Sequence, residues 1–148
     1  MGLWKKTAPM IHVQHLTKAY EDIHRGRFNA VDGISFSVRP GEIFGLLGPN
    51  GAGKTTVLRI LSTVLKPTSG IATIDGYDVA HDPAAVRRRI GFVSNNTAIY
   101  DRMTATEMVT YFGRLHGLPS DQLRLRVDHL FDQLRMNDFR DVPGAKMS

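Results

Sequence analysis

The 148-residue sequence predicts an α/β fold, strand-rich over about its first ninety residues and helical over roughly the last fifty. Three observations carry that expectation. Apolar residues alternate at Ile11, Val13 and again at Ile34, Phe36, Val38. A glycine-rich break, "GPNGAGKTT", separates an apolar strand-like run from an apolar helical stripe. Two further helical stripes with start signals follow Thr104.

In chain order, Ile11, Val13 and His15 alternate with His12 and Gln14 and predict a strand, and Glu21 to Asn29 is polar and reads as a loop. Ile34, Phe36 and Val38 alternate with serines as a second strand, closed at Arg39-Pro40-Gly41. Glu42 to Leu47 is apolar on both faces, the pattern of a strand inside a covered sheet. After the break at Gly48 to Gly53, residues Val57, Leu58, Ile60, Leu61 and Leu65 keep helical spacing from Lys54 until Lys66-Pro67 stops them. Ile71 to Ile74 then leads into an Asp75-Gly76 turn, and a short helical stretch lies between Pro83 and Ile90. Gly91-Phe92-Val93 begins as a buried strand and gives way to Ser94, Asn95, Asn96 and Thr97. Thr104 and Glu107 form a capping box for a helix that ends near His116-Gly117. Ser120 reads as the cap of a last helix, with Leu123, Val127, Leu130, Phe131 and Leu134 on one stripe. The shift from strands to helices predicts two lobes, residues 10–94 and 95–148.

Composition excludes more than it selects. There is no cysteine, hence no disulfide and no thiolate metal site, which fits a reducing compartment. No apolar run approaches the roughly 20 residues of a spanning helix, and the lysines near Met1 are not followed by the apolar core of a secretory signal. The net charge of +5 invites a nucleic-acid reading, but the basic residues are scattered and not interleaved with aromatics. Arg87-Arg88-Arg89, the dense run, reads as a solvated helix face near an anionic partner or ligand, and no nucleic-acid partner is expected. The six histidines show no metal spacing on one helix face, and His12 and His15 fall on opposite faces of a strand.

"GPNGAGKTT" satisfies G-x-x-x-x-G-K-[ST] at Gly48, Gly53, Lys54 and Thr55. Glycines let the backbone of Gly48, Pro49, Asn50, Gly51, Ala52 and Gly53 wrap so that N–H groups point inward at phosphate oxygens. The following helix adds the free amides of its first turn, at Lys54, Thr55 and Thr56. Lys54 is placed to neutralise the β- and γ-phosphates and their transition-state charge, and the Thr55 hydroxyl is a hard oxygen ligand for Mg²⁺. No Asn-Lys-x-Asp reads a guanine base, and no acceptor site for a transferred phosphoryl group is legible. Ile71-Ala72-Thr73-Ile74-Asp75 imitates a Walker B strand, but two turns bound it and Gly76 stands where a catalytic glutamate belongs, so Asp75 reads as a turn residue.

The order of these parts resembles the ATP-binding subunit of ABC transporters. "LTKAY" is similar to that family's first strand and adenine-stacking aromatic, which would be Tyr20. "AVDGISFSVRPGEIFGLLGPNGAGKTTVLRILSTVLKPTSGIATIDGYDV" resembles its core, and "RRRIGFVSNNTAIYDRMTATEMVTYFGRLHGL" its switch loop and first helices. The last of these approaches the branch of sodium-extrusion and drug-export ATPases. For Tyr20 two readings stand, a ring stacked on a purine and a boundary aromatic packed under a loop. The family's loop carries a glutamine where Asn95 stands. Asn95 would reach Mg²⁺ directly, or through a water, or else serve only the loop backbone.

The resemblance implies a P-loop NTPase fold of ABC type, with an N-terminal antiparallel β portion and an incomplete α-helical subdomain. The cofactors it implies are ATP and Mg²⁺. The chain ends at "PGAKMS", where Ser148 would open the signature motif. The water-activating residues would then lie beyond it, and the sequence is expected to be a fragment of one domain without turnover of its own. Two whole subunits, as a homo- or heterodimer, would sandwich two Mg·ATP and drive export through an integral-membrane permease from the cytoplasmic face. A soluble ABC-type ATPase acting on ribosomes or DNA, or a nucleotide-binding module without hydrolysis, are the alternatives.

Overall fold

The computed structural model describes residues 8–23, 26–94 and 100–147. They form two compact units, one up to Phe92 and one from Val93.

In the first unit β1 (Ile11–Asp22), β2 (Gly26–Val38), β3 (Ser69–Ile74) and β4 (Tyr77–Asp78) build an antiparallel sheet in the order β2-β1-β3-β4. The first two strands are longer than their apolar alternation suggests. Most of the span from Glu21 to Asn29 is ladder and not loop, with Ala19 opposite Asn29, Tyr20 opposite Phe28 and Asp22 opposite Gly26. Backbone pairing needs no apolar side chain, so polar strand ends leave no periodic signal. Nor does His15 continue the alternation. It sits at φ 47 in a bulge, and the register moves from Val13 opposite Phe36 to Leu16 opposite Ile34, so that Leu16 is the residue that goes inside.

Two bulges also interrupt β2. Between Leu16–Ile34 and Lys18–Val31, β2 advances three residues against two on β1; between Lys18–Val31 and Ala19–Asn29 it advances two against one, leaving Ala30 over. Gly33 takes the first of these kinks at φ 61 and donates its N–H to Thr17 Oγ1 at 3.0 Å.

Helix α1 (Lys54–Leu61) lays Val57, Ile60 and Leu61 against Val13, Leu16 and Ala72 of the sheet, and α2 (Pro83–Arg87) adds Val86 to the same core. The helical stripe reads on to Leu65, but α1 stops at Leu61. Thr63 is left-handed at φ 62, and the N–H groups of Thr63 and Val64 turn back to the carbonyls of Ile60 and Arg59, satisfying the helix end. The Asp75-Gly76 turn has both residues at positive φ, 49 and 80, as a type I′ hairpin requires. Of the arginine run, Arg87 donates to Thr63 Oγ1 at 3.0 Å. Arg89 pairs with Asp75 at 2.7 Å and lies over the Tyr77 ring at 3.9 Å. The run is therefore partly structural and not uniformly a solvated helix face.

Two expected strands do not form. Glu42 to Leu47 has no ladder partner among the described residues; Ile43 and Leu47 lie fully in solvent, while Phe44 stacks on Phe36 at 4.8 Å. Gly91-Phe92-Val93 likewise carries no ladder, and Val93 is 91% exposed. A strand apolar on both faces needs strands at both edges, and the described residues provide none.

The second unit packs α3 (Ala105–Leu115) on α4 (Ser120–Gln133) around Ala105, Leu123, Val127 and Phe131. Both halves of the capping box are present: Glu107 N–H donates to Thr104 Oγ1 at 3.2 Å, and Thr104 N–H to Glu107 Oε2 at 2.8 Å. Gly113 lets the helices close, since a Cβ there would overlap Leu123 Cδ1. Ser120 is not a cap. Pro119, extended at ψ 148, occupies that position, and its carbonyl accepts the Leu123 N–H at 2.8 Å. On the α4 stripe Leu130 and Leu134 remain exposed.

Candidate functional site

The segment from Gly48 to Thr56 is one continuous loop-to-helix turn, as its sequence predicts. Gly51 and Gly53 are left-handed, at φ 85 and 83, and Ala52 N–H closes the turn on the Pro49 carbonyl at 3.2 Å. Gly53 is the N-cap of α1. No side chain caps this helix and no acidic residue lies in its first turn. The first intrahelical bond is Val57 N–H to the Gly53 carbonyl, 2.9 Å. The amides of Lys54, Thr55 and Thr56 precede that bond, so they carry the positive end of the helix with no acid beside them.

Lys54 folds back over the loop. Its Nζ donates to the carbonyls of Gly48 and Pro49, both at 2.6 Å. An ammonium has three donors, so this tie fixes its place at the loop mouth and leaves one N–H to give. Thr55 is exposed, with its hydroxyl one residue into the helix, and Thr56 is half-buried. Charge, the uncapped amides of the helix start, a glycine backbone and a hydroxyl thus share one turn, and this donor set fits a polyphosphate with a hard cation.

A residue outside the motif decides the geometry of Gly53. The carbonyl oxygen of Ala30, the extra residue of the β2 bulge, points at it so closely that a Cβ on Gly53 would collide with that oxygen and press Val31. The sequence marks Gly53 as a phosphate-loop glycine, and the fold adds a second demand on it. Only the register of β2 shows that demand, and register is not written in the local pattern.

Tyr20 lies within β1 and not after it. It is half-buried, its ring centroid is 5.9 Å from that of Phe28, and Lys18 Nζ stands 5.2 Å from its centre. Both readings of this ring keep a physical basis: it packs against Phe28, and part of it stays open. Asn95 lies outside the described residues. Among the described residues no three acidic or histidine side chains cluster as a metal site, and no helix is long and apolar enough to cross a membrane.

A family model described as ABC transporter matches residues 31–148. The ABC transporter ATP-binding protein NatA of Bacillus subtilis is 40% identical over 131 residues, 88% of this chain and 53% of the relative. The doxorubicin resistance ATP-binding protein DrrA of Mycobacterium tuberculosis is 46% identical over 112 residues, 76% of this chain and 34% of the relative. An ATP-binding cassette solved as a dimer, in a post-hydrolysis state bound to ADP and Pi, aligns with a TM-score of 0.75 at 25% identity. That alignment covers 94% of this chain and 63% of that one. The chain spans about half the length, or less, of the curated relatives it matches.

Proposed function

The chain belongs to the ABC transporter ATP-binding family, and on that premise we propose that its protein couples ATP binding and hydrolysis to export across a membrane. The observation that carries this reading is the turn at Gly48–Thr55, with Lys54 tied across its mouth and α1 uncapped behind it. The amides of Gly51 to Thr56 hold the phosphates, and the free N–H of Lys54 donates to a terminal phosphate oxygen. The Thr55 hydroxyl would be an oxygen ligand for Mg²⁺, which would supply neutralisation of the phosphate charge. Tyr20 stacks the adenine, as a half-buried ring within a strand can. Asn95, outside the described residues, would offer its amide carbonyl to the metal or to a water on it, its stem being one methylene shorter than that of glutamine.

Export, in place of import, is supported by the name of the DrrA relative, a doxorubicin resistance ATP-binding protein; the resemblance to sodium-extrusion ATPases leaves a sodium cargo as the second choice. The partners in this reading are an integral-membrane permease and a second ATP-binding subunit, the latter supported by the dimeric cassette that aligns with this chain. The place of action is then the cytoplasmic face. Residues 10–94 form the nucleotide-binding part, and 95–148 belong to the part that meets the permease.

The decisive experiment is Lys54→Ala in the full-length protein reconstituted with its permease. The change removes the ammonium and both ties to Gly48 and Pro49, and ATP turnover is expected to fall by at least about a hundredfold. Turnover at the wild-type rate would overturn the reading. Residues 1–148 alone are expected to bind Mg·ATP weakly, with no steady-state turnover above background.

A further inference from the structure

Between the ring at Tyr20 and the phosphate loop lies the doubly bulged stretch of β2, Asn29 to Gly33. Asn29 stands opposite Ala19 in the ladder, beside Tyr20, and the Ala30 carbonyl abuts Gly53. A single groove in this unit is lined by Asn29 and Asp32 together with Gly51, Ala52 and Lys54. Bulges re-aim side chains, and here they deliver the only carboxylate of that groove among the described residues to a wall shared with the loop. Asn29 Nδ2 donates to Asp32 Oδ1 at 2.9 Å, which orients the carboxylate and leaves Oδ2 and the Asn29 carbonyl as acceptors.

A nucleotide has a fixed order: base, sugar, phosphates. With the base at Tyr20 and the phosphates at Gly51–Lys54, the part that falls between them is the ribose. A carboxylate facing a triphosphate is repelled, whereas a carboxylate facing a vicinal diol accepts two O–H donors. We propose that Asp32, oriented by Asn29, binds the ribose hydroxyls and makes this site prefer ribonucleotides to 2′-deoxynucleotides. The inference rests on the nucleotide reading above, and nothing in that reading requires it.

The test is equilibrium binding of Mg·ATP and Mg·2′-deoxy-ATP to the full-length protein, wild type and Asp32→Ala. Asp32 is exposed, so its truncation leaves the core intact. Wild type is expected to favour ATP by roughly tenfold, the worth of one charge-assisted hydrogen bond. Asp32→Ala is expected to bring the ratio to about one while triphosphate binding persists. Asn29→Ala, which frees the carboxylate to rotate, is expected to reduce the ratio without abolishing it. Equal affinities in the wild type, or a ratio unchanged by Asp32→Ala, would overturn the ribose assignment and leave the nucleotide reading standing. Failure of wild type to bind either nucleotide would overturn both.

Discussion

Glu42–Leu47 and α1 are six residues apart and both carry apolar patterns, yet only α1 forms a regular element. The helix closes its hydrogen bonds on itself and needs the rest of the unit only to cover Val57, Ile60 and Leu61. A strand closes none of its own. Ile43 and Leu47 stand in water because no neighbouring strand reaches them among the described residues. The apolar run records a neighbourhood, strands on both sides and cover on both faces, that these residues do not supply. Local pattern therefore becomes local structure where the element satisfies its own backbone, as α1 does, or meets a partner strand, as β1 meets β2.

The phosphate loop sits between the two cases, and Gly53 is where to break it. A side chain there must adopt φ 83, and its Cβ meets the Ala30 carbonyl, a backbone atom fixed by the β2 ladder. Gly53→Ala is expected to destabilise the first unit by about 3 kcal/mol, from left-handed strain plus the displaced strand. Denaturant unfolding followed by a probe in β1 and β2 measures it. If the loss is under about 1 kcal/mol, the bulge yields easily and the loop is as self-sufficient as α1.

The same distinction governs what was legible beforehand. Gly48, Lys54 and Thr55 could be read because the chemistry that fixes them is contiguous, and the Thr104–Glu107 cap and the Asp75-Gly76 turn for the same reason. Ala30 and Asp32 could not, since what makes them matter is the register of β2 on β1, which no local pattern records. The strand ends at Tyr20–Asp22 and Gly26–Asn29 escaped notice because ladder pairing leaves polar residues in place. The helix end at Thr63 escaped because a β-branched residue is an uncommon choice for the left-handed position that usually takes glycine. Ser120 misled in the opposite way, a good cap residue one position late behind Pro119.

Nearer the self-sufficient end stands α3, whose start is held by the Thr104–Glu107 box and by the Thr106 N–H and hydroxyl, both donating to the Arg140 carbonyl at 3.0 Å. Thr104→Ala removes the acceptor for the Glu107 N–H and is expected to cost about 1 kcal/mol. Amide exchange in the first turn of α3 should quicken by roughly fivefold while exchange in β1 and β2 stays unchanged. Equal acceleration in both would show that the cap serves more than its own helix.

The smallest effect is electrostatic and equally local. Asp78 Oδ1 accepts the N–H groups of Ala80 at 2.7 Å and His81 at 3.0 Å, together with His81 Nδ1 at 3.0 Å. Partial burial pushes its carboxyl up, but the two backbone donors and the His81 side chain outweigh it and hold the pKa below the ordinary 3.8. A group whose folded pKa is depressed stabilises the fold above its unfolded pKa and loses that contribution as pH falls through the folded value. Amide protection at Ala80 and His81 should therefore be constant above about pH 4 and weaken below it, after correction for the intrinsic exchange rate. Asp78→Asn keeps an oxygen acceptor and removes the charge, so its protection should be lower throughout and flat across the same range. A wild-type profile as flat as that of Asp78→Asn would mean that geometry alone holds this turn, with no help from charge.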